Sequence, residues 1–145
     1  MTRSELVFVP TAGMGHLLST VELAKLIIHR NTDISILILI FDLPANSSDV
    51  KAYVEAQSGD SIPSRLTFLT LPPIPYNPPG PPMFGSLLNL IGLHKPVVKQ
   101  AIEERAQYGS LKPVGLVLDM FCTSLIDVAN ELNIPSYIYL SLIHI

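Results

Sequence analysis

A histidine, His16, follows a short apolar strand and a turn bracketed by Gly13 and Gly15, in the run FVPTAGMGH of residues 8–16. An amphipathic stretch begins directly after it, so the pattern predicts a strand, a tight glycine turn and a histidine at the mouth of a helix. In an open α/β sheet such a turn lies on the edge where ligands bind. Imidazole titrates near neutral pH, so His16 is a candidate general base. The alternative is a helix-start residue that only packs or caps.

Asp119 is the second candidate, because it stands at the end of the apolar run VGLVL of residues 114–118. A carboxylate is costly inside a buried strand but acceptable at its tip. In the common strand order 3-2-1-4-5, the first and fourth strands are neighbours, so their ends meet at the ligand crevice. We therefore expect Asp119 to orient His16 and to stabilise its imidazolium, with a substrate hydroxyl as the nucleophile. A plain turn aspartate is the alternative.

Other site signatures are missing from the sequence. There is no G-x-G-x-x-G dinucleotide fingerprint, no phosphate-binding P-loop and no G-x-S-x-G nucleophile elbow. Asp42 ends the second apolar run at about the spacing of a ribose-binding acid, but without the fingerprint this role is weak. The four histidines and one cysteine are scattered, so no metal site is expected.

The elements that must position these residues alternate along the chain. Apolar runs predict strands at 5–10, 34–41, 66–71, 114–119 and 136–140, and helical patterns fall at 16–30, 47–57, 86–107 and 124–132. Pro96 is expected to kink or split the third helix. The alternation predicts an α/β fold: a Rossmann-like, doubly wound parallel sheet. The proline-rich stretch 71–82 is either a stiff surface connector or a loop that shapes an acceptor pocket.

Composition narrows the function classes. The chain has 145 residues, 48% hydrophobic and 14% charged, with a net charge of -3. This matches one domain with a buried core, and no basic stripe suggests nucleic-acid binding. No apolar run reaches the ~18 residues of a membrane span, and a single cysteine fits a reducing compartment. We expect a soluble, cytoplasmic protein.

At this point the sequence resembles a known family, the plant UDP-dependent glycosyltransferases, which act on small lipophilic acceptors such as flavonoids and other phenolics. The resemblance covers residues 5–140. It is carried by the glycine–histidine run, by ELAKL at 22–26, LTLP at 69–72, VLDMFC at 117–122, DVA at 127–129 and LNIPSY at 132–137.

The resemblance implies a two-domain fold of GT-B type, of which residues 1–145 are the N-terminal, acceptor-binding domain. His16 matches the general base and Asp119 its partner acid in an inverting transfer from a UDP-sugar. By family precedent that sugar donor is UDP-glucose, and no metal and no other cofactor is implied. Phe84 and His94 fall where the acceptor pocket varies. Gly15 and Ser141 fall near donor contacts. The complete protein is expected to be a monomer of plant secondary metabolism.

The chain departs from the family after Tyr139, where the family continues into a donor-binding domain rich in Trp, Gln, His and Glu. The sequence here reads LSLIHI over 140–145 and contains no Trp. We expect a truncated domain with little or no transferase activity alone, whose last residues could be non-native. Two other interpretations stay open: a non-catalytic module that binds a lipophilic ligand, and a non-functional truncated product with exposed core surface.

Overall fold

A computed structural model describes residues 3–43, 47–57, 64–75 and 84–140. Five strands alternate with helices along this part of the chain. The strands are β1 (Arg3–Val9), β2 (Ile34–Ile40), β3 (Leu66–Thr70), β4 (Leu111–Asp119) and β5 (Ser136–Tyr139). The helices are α1 (Met14–Arg30), α2 (Ser47–Ala56), α3 (Phe84–Leu93), α4 (Lys95–Tyr108) and α5 (Ile126–Glu131), the last preceded by a 3₁₀ turn over Met120–Leu125.

The strands form one parallel sheet in the order β3-β2-β1-β4-β5. This confirms the predicted doubly wound parallel sheet. Val9 of β1 pairs with Leu118 of β4, so the residues that follow β1 lie beside Asp119. The carboxyl ends of β1 and β4 therefore meet at the point where the strand order reverses, as the sequence predicts.

Apolar side chains cover both faces of the central strands, as expected for a parallel sheet. On one face, α1 packs on the even-numbered side chains of β2 and on Phe8. On the other, α3, α4 and α5 pack on Val7, Val9 and the odd-numbered side chains of β2. Leu17, Val21 and Ala24 are buried along α1, as its periodicity predicts.

The structure decides between the two outcomes expected for one helix and corrects the prediction for another. The predicted helix 86–107 is two helices that meet at His94, with Pro96 in the first turn of α4, where a missing N–H costs nothing. Pro96 thus splits the helix, one of the two expected outcomes. The predicted helix 124–132 is preceded by a 3₁₀ turn that starts directly after Asp119, because the carboxylate of Asp119 accepts the first N–H of that turn. Residues 76–82 of the proline-rich stretch lie outside the described residues.

Candidate active site

The turn between β1 and α1 positions His16. Gly13 has φ +124°, a left-handed backbone conformation that a side chain would strain, and its carbonyl accepts the N–H of Leu17 to begin α1. The chain thus reverses within a few residues. As a result His16 stands in the first turn of α1, at the carboxyl edge of the sheet.

Asp119 ends β4 and is fully buried, with 0% of its surface exposed. Two backbone donors hold its carboxylate: the N–H of Met120 donates to Oδ1 at 2.7 Å, and the N–H of Thr11 donates to Oδ2 at 3.3 Å. One donor comes from the segment after β4 and the other from the segment after β1. These bonds compensate for the removal of a carboxylate from water and lock its orientation.

The same Oδ2 lies 2.7 Å from Nδ1 of His16. Because a carboxylate only accepts hydrogen bonds, Nδ1 is the donor in this contact, and in the neutral imidazole Nε2 is then the nitrogen with the lone pair. The His16 side chain is 14% exposed, and the ring of Phe121 packs edge-on against it with centroids 5.8 Å apart. In this geometry the imidazole can accept a proton at Nε2 while the buried carboxylate holds it at Nδ1.

A second set of hydrogen bonds supports the histidine from the side of β5. The hydroxyl of Thr20 donates to the His16 carbonyl at 2.9 Å, so the hydroxyl of Tyr139 donates to Thr20. Burial raises the pKa of Tyr139, which keeps its phenol neutral and able to donate. Tyr139 also pairs in register with Asp119 across β4 and β5.

Cys122 lies in the core behind the pair. Its Sγ is 3.6 Å from the hydroxyl of Thr11, and burial raises the pKa of the thiol to about 12. A thiol with this pKa stays protonated near neutral pH, so Cys122 is a structural group and not a nucleophile.

The structure brings together His16 and Asp119 but not every residue that the sequence singled out. Gly15 is exposed in the first turn of α1, and a Cβ added there would meet nothing within 4 Å. His94 is 0% exposed: its Nδ1–H donates to the Leu90 carbonyl at 2.8 Å, and its ring packs edge-on against Phe41.

Two further predicted contacts, Phe84 and Ser141, concern groups outside the described residues. Phe84 begins α3, but its side chain lies outside the described residues, as does the whole of Ser141. The sequence reasoning missed the support from Thr11, Thr20 and Tyr139. Thr20 alone had a signal, because it lies four residues after His16 on the same helix face.

The part of the chain that the structure describes contains no group of three or more His, Cys, Asp or Glu side chains that could hold a metal ion. None of the helices in the described ranges has both the length and the apolar run needed to cross a membrane.

No family model matches the chain, but individual proteins do. The chain is 42% identical over 130 residues to anthocyanidin 3-O-glucosyltransferase 1 of Manihot esculenta. The matched region covers 87% of this chain and 27% of that protein. The chain is 37% identical over 140 residues to UDP-glucose flavonoid 3-O-glucosyltransferase 6 of Fragaria ananassa, with 94% of this chain and 29% of that protein covered.

A solved structure shares the fold as well. Medicago truncatula UGT71G1 complexed with UDP-glucose matches with a TM-score of 0.74 and 32% identity, over 96% of this chain and 29% of that one. The chain therefore spans less than a third of the length of the relatives that it matches.

Proposed function

Because this chain belongs to the plant UDP-glycosyltransferases and matches their N-terminal domain, we propose that it supplies the catalytic base and the acceptor side of a sugar-transfer reaction. The reaction is the inverting transfer of a sugar from a UDP-sugar to a hydroxyl group of a small lipophilic acceptor. The names of the relatives favour glucose as the sugar and a flavonoid or another phenolic as the acceptor.

The single observation that carries this proposal is the 2.7 Å contact between Nδ1 of His16 and Oδ2 of Asp119 at the carboxyl edge of the sheet. Nε2 takes the proton of the acceptor hydroxyl, and the buried carboxylate stabilises the imidazolium that forms. The hydroxyl oxygen then bonds to the anomeric carbon of the sugar from the face opposite UDP. The bond between that carbon and the UDP oxygen breaks, and UDP leaves with the electron pair.

The other predicted contacts take secondary roles. We assign Gly15 to the donor side, because the open space above it and the N-terminal N–H groups of α1 suit a phosphate oxygen. Ser141 stays a proposed donor contact and Phe84 a proposed acceptor contact, both by resemblance. His94 is buried, so we propose that it shapes the acceptor wall through Phe41 and does not touch the acceptor in this conformation.

The chain spans less than a third of its relatives' length, so we propose that turnover requires a donor-binding domain in addition to these residues. The complete enzyme would need no metal and no cofactor besides the UDP-sugar. The buried free thiol of Cys122 is compatible with a cytoplasmic location, which we also propose, together with a monomeric state and a role in secondary metabolism.

Replacing His16 in a full-length protein that carries this chain as its N-terminal domain tests the proposal. We expect His16→Ala to lower kcat with UDP-glucose and a flavonol by about 100-fold or more, with acceptor binding retained. His29→Ala is the matched control, since His29 is exposed in the last turn of α1. Flavonol binding with no turnover in the unmodified protein would instead indicate a non-catalytic binding module.

A further inference from the structure

A cavity of about 680 Å³ opens at the carboxyl ends of β2 and β3, beside α2. Ile40 and Val50 form part of an apolar floor, and polar side chains of Asp42, Lys51 and Thr70 stand among its lining residues. This volume and this mixture of an apolar floor with a few polar groups are typical of small-molecule sites. The reaction proposed above uses none of these side chains.

The cavity adjoins the turn that carries the base. A narrow crevice shares the lining residues Ile40, Phe41 and Val50 with it, and Pro10 and Gly13 of the turn that leads to His16 line the same crevice. The cavity lies beyond β2, on the side of β1 opposite Asp119. Two strand spacings amount to about 10 Å, which is close to the length of a two-ring phenolic molecule. One ligand can therefore reach both regions.

The polar side chains that line the cavity indicate which chemical groups the bound end of that ligand carries. Asp42 is partly buried, and no described residue donates a hydrogen bond to its carboxylate. Thr70 offers an exposed hydroxyl, Lys51 an ammonium group and Glu55 a second carboxylate on the α2 side. A carboxylate without a donor among the described residues suits a ligand hydroxyl, which can donate to it.

We propose that this cavity binds a hydroxylated aromatic ring of the acceptor, at the end remote from the hydroxyl that His16 deprotonates. The ring lies over Ile40 and Val50, and its hydroxyl groups donate to Asp42 and bond to Thr70. This proposal rests on the proposed function, because it places the reactive end of the same molecule at His16. It makes Asp42 and Thr70 specificity-determining residues that act on acceptor binding and leave the chemical step alone.

The test compares two flavonols in the full-length protein: quercetin, with two hydroxyl groups on its phenyl ring, and galangin, with none. We expect Asp42→Ala to raise the KM for quercetin about 10-fold with kcat unchanged, and to leave galangin unaffected. Thr70→Val, a change of similar volume at an exposed site, is expected to raise the same KM about 3-fold. Asp33→Ala is the matched control, since Asp33 is an exposed carboxylate before β2, at the opposite edge of the sheet.

Equal changes for the two flavonols, or no change for quercetin in either variant, would overturn the cavity proposal. A wild-type protein that glucosylates neither flavonol would instead contradict the proposed function for this acceptor class. In that case, Kd values measured by calorimetry for quercetin and galangin, with wild type and Asp42→Ala, still decide on the cavity. Loss of discrimination between the two flavonols in Asp42→Ala supports it, and unchanged discrimination refutes it.

Discussion

Replacing Asp119 by Asn keeps the size of the side chain but conflicts with the donors around it. In the native site, Oδ1 accepts from Met120, and Oδ2 accepts from both Thr11 and His16. An amide has only one oxygen. If that oxygen faces Met120, the NH₂ group faces the Thr11 N–H and donates to Nδ1 of His16, which moves the imidazole proton to Nε2. If the amide is reversed, its NH₂ group faces the Met120 N–H.

The size of the effect on catalysis follows from the contact distance. With Nδ1 and Oδ2 2.7 Å apart, the centres of the imidazolium and carboxylate charges lie about 4 Å apart. At an effective dielectric constant of about 20, this attraction amounts to about 4 kcal/mol. A variant that loses this stabilisation is expected to lose about 10³-fold in kcat, since ~1.4 kcal/mol corresponds to tenfold in rate. The unpaired buried donor should also cost about 1–3 kcal/mol of folding stability.

Two assays check this reasoning. Steady-state turnover of the full-length protein measures kcat, and nitrogen-15 NMR of the imidazole distinguishes a proton on Nδ1 from one on Nε2. Asp127→Asn is the control, because it makes the same chemical change at an exposed carboxylate paired with Lys95. If Asp119→Asn kept more than a tenth of the wild-type kcat, or kept the proton on Nδ1, the assigned role of Asp119 would be refuted.

Three further predictions concern stability, measured by urea unfolding of the 145-residue chain. Arg105→Met leaves the carboxylate of Glu5, which is 4% exposed, without its partner. Because Arg105 itself is 26% exposed, we expect the free energy of unfolding to fall by about 2–3 kcal/mol. The double variant Glu5→Met/Arg105→Met should restore most of this loss. An additive double variant would contradict this. Gly13→Ala should lower the free energy of unfolding by about 1–3 kcal/mol because φ at this residue is +124°, whereas Gly15→Ala should leave it unchanged. Equal losses in the two variants would refute the strain argument. Burial raises the pKa of Cys122 from 9.0 to about 12, so the unfolded thiol ionises first and stability falls by about 1.4 kcal/mol between pH 8 and 10. Cys122→Ala should remove this part of the pH dependence of stability. An unchanged dependence in that variant would contradict the assignment to the Cys122 thiol.

Much of the architecture was predictable because it depends on patterns local to the chain. Continuous apolar runs separated by amphipathic stretches indicate a parallel sheet covered on both faces, and parallel strands in this order bring the ends of β1 and β4 together. The pairing of His16 with Asp119, residues separated by 103 positions, followed from that rule alone. Periodicity likewise identified the buried face of α1.

The details that make the pair chemically useful depended on tertiary structure. Backbone N–H groups, such as those of Thr11 and Met120, have no signature in the sequence, because every residue except proline carries one. The burial of His94 depends on Phe41, which is distant in the chain and packs against the joint between α3 and α4. The cavity beside Asp42 likewise forms only where β2, β3 and α2 meet. Sequence periodicity determines which face of an element is apolar, but contacts between distant segments decide which polar groups are paired, buried or left open to a ligand.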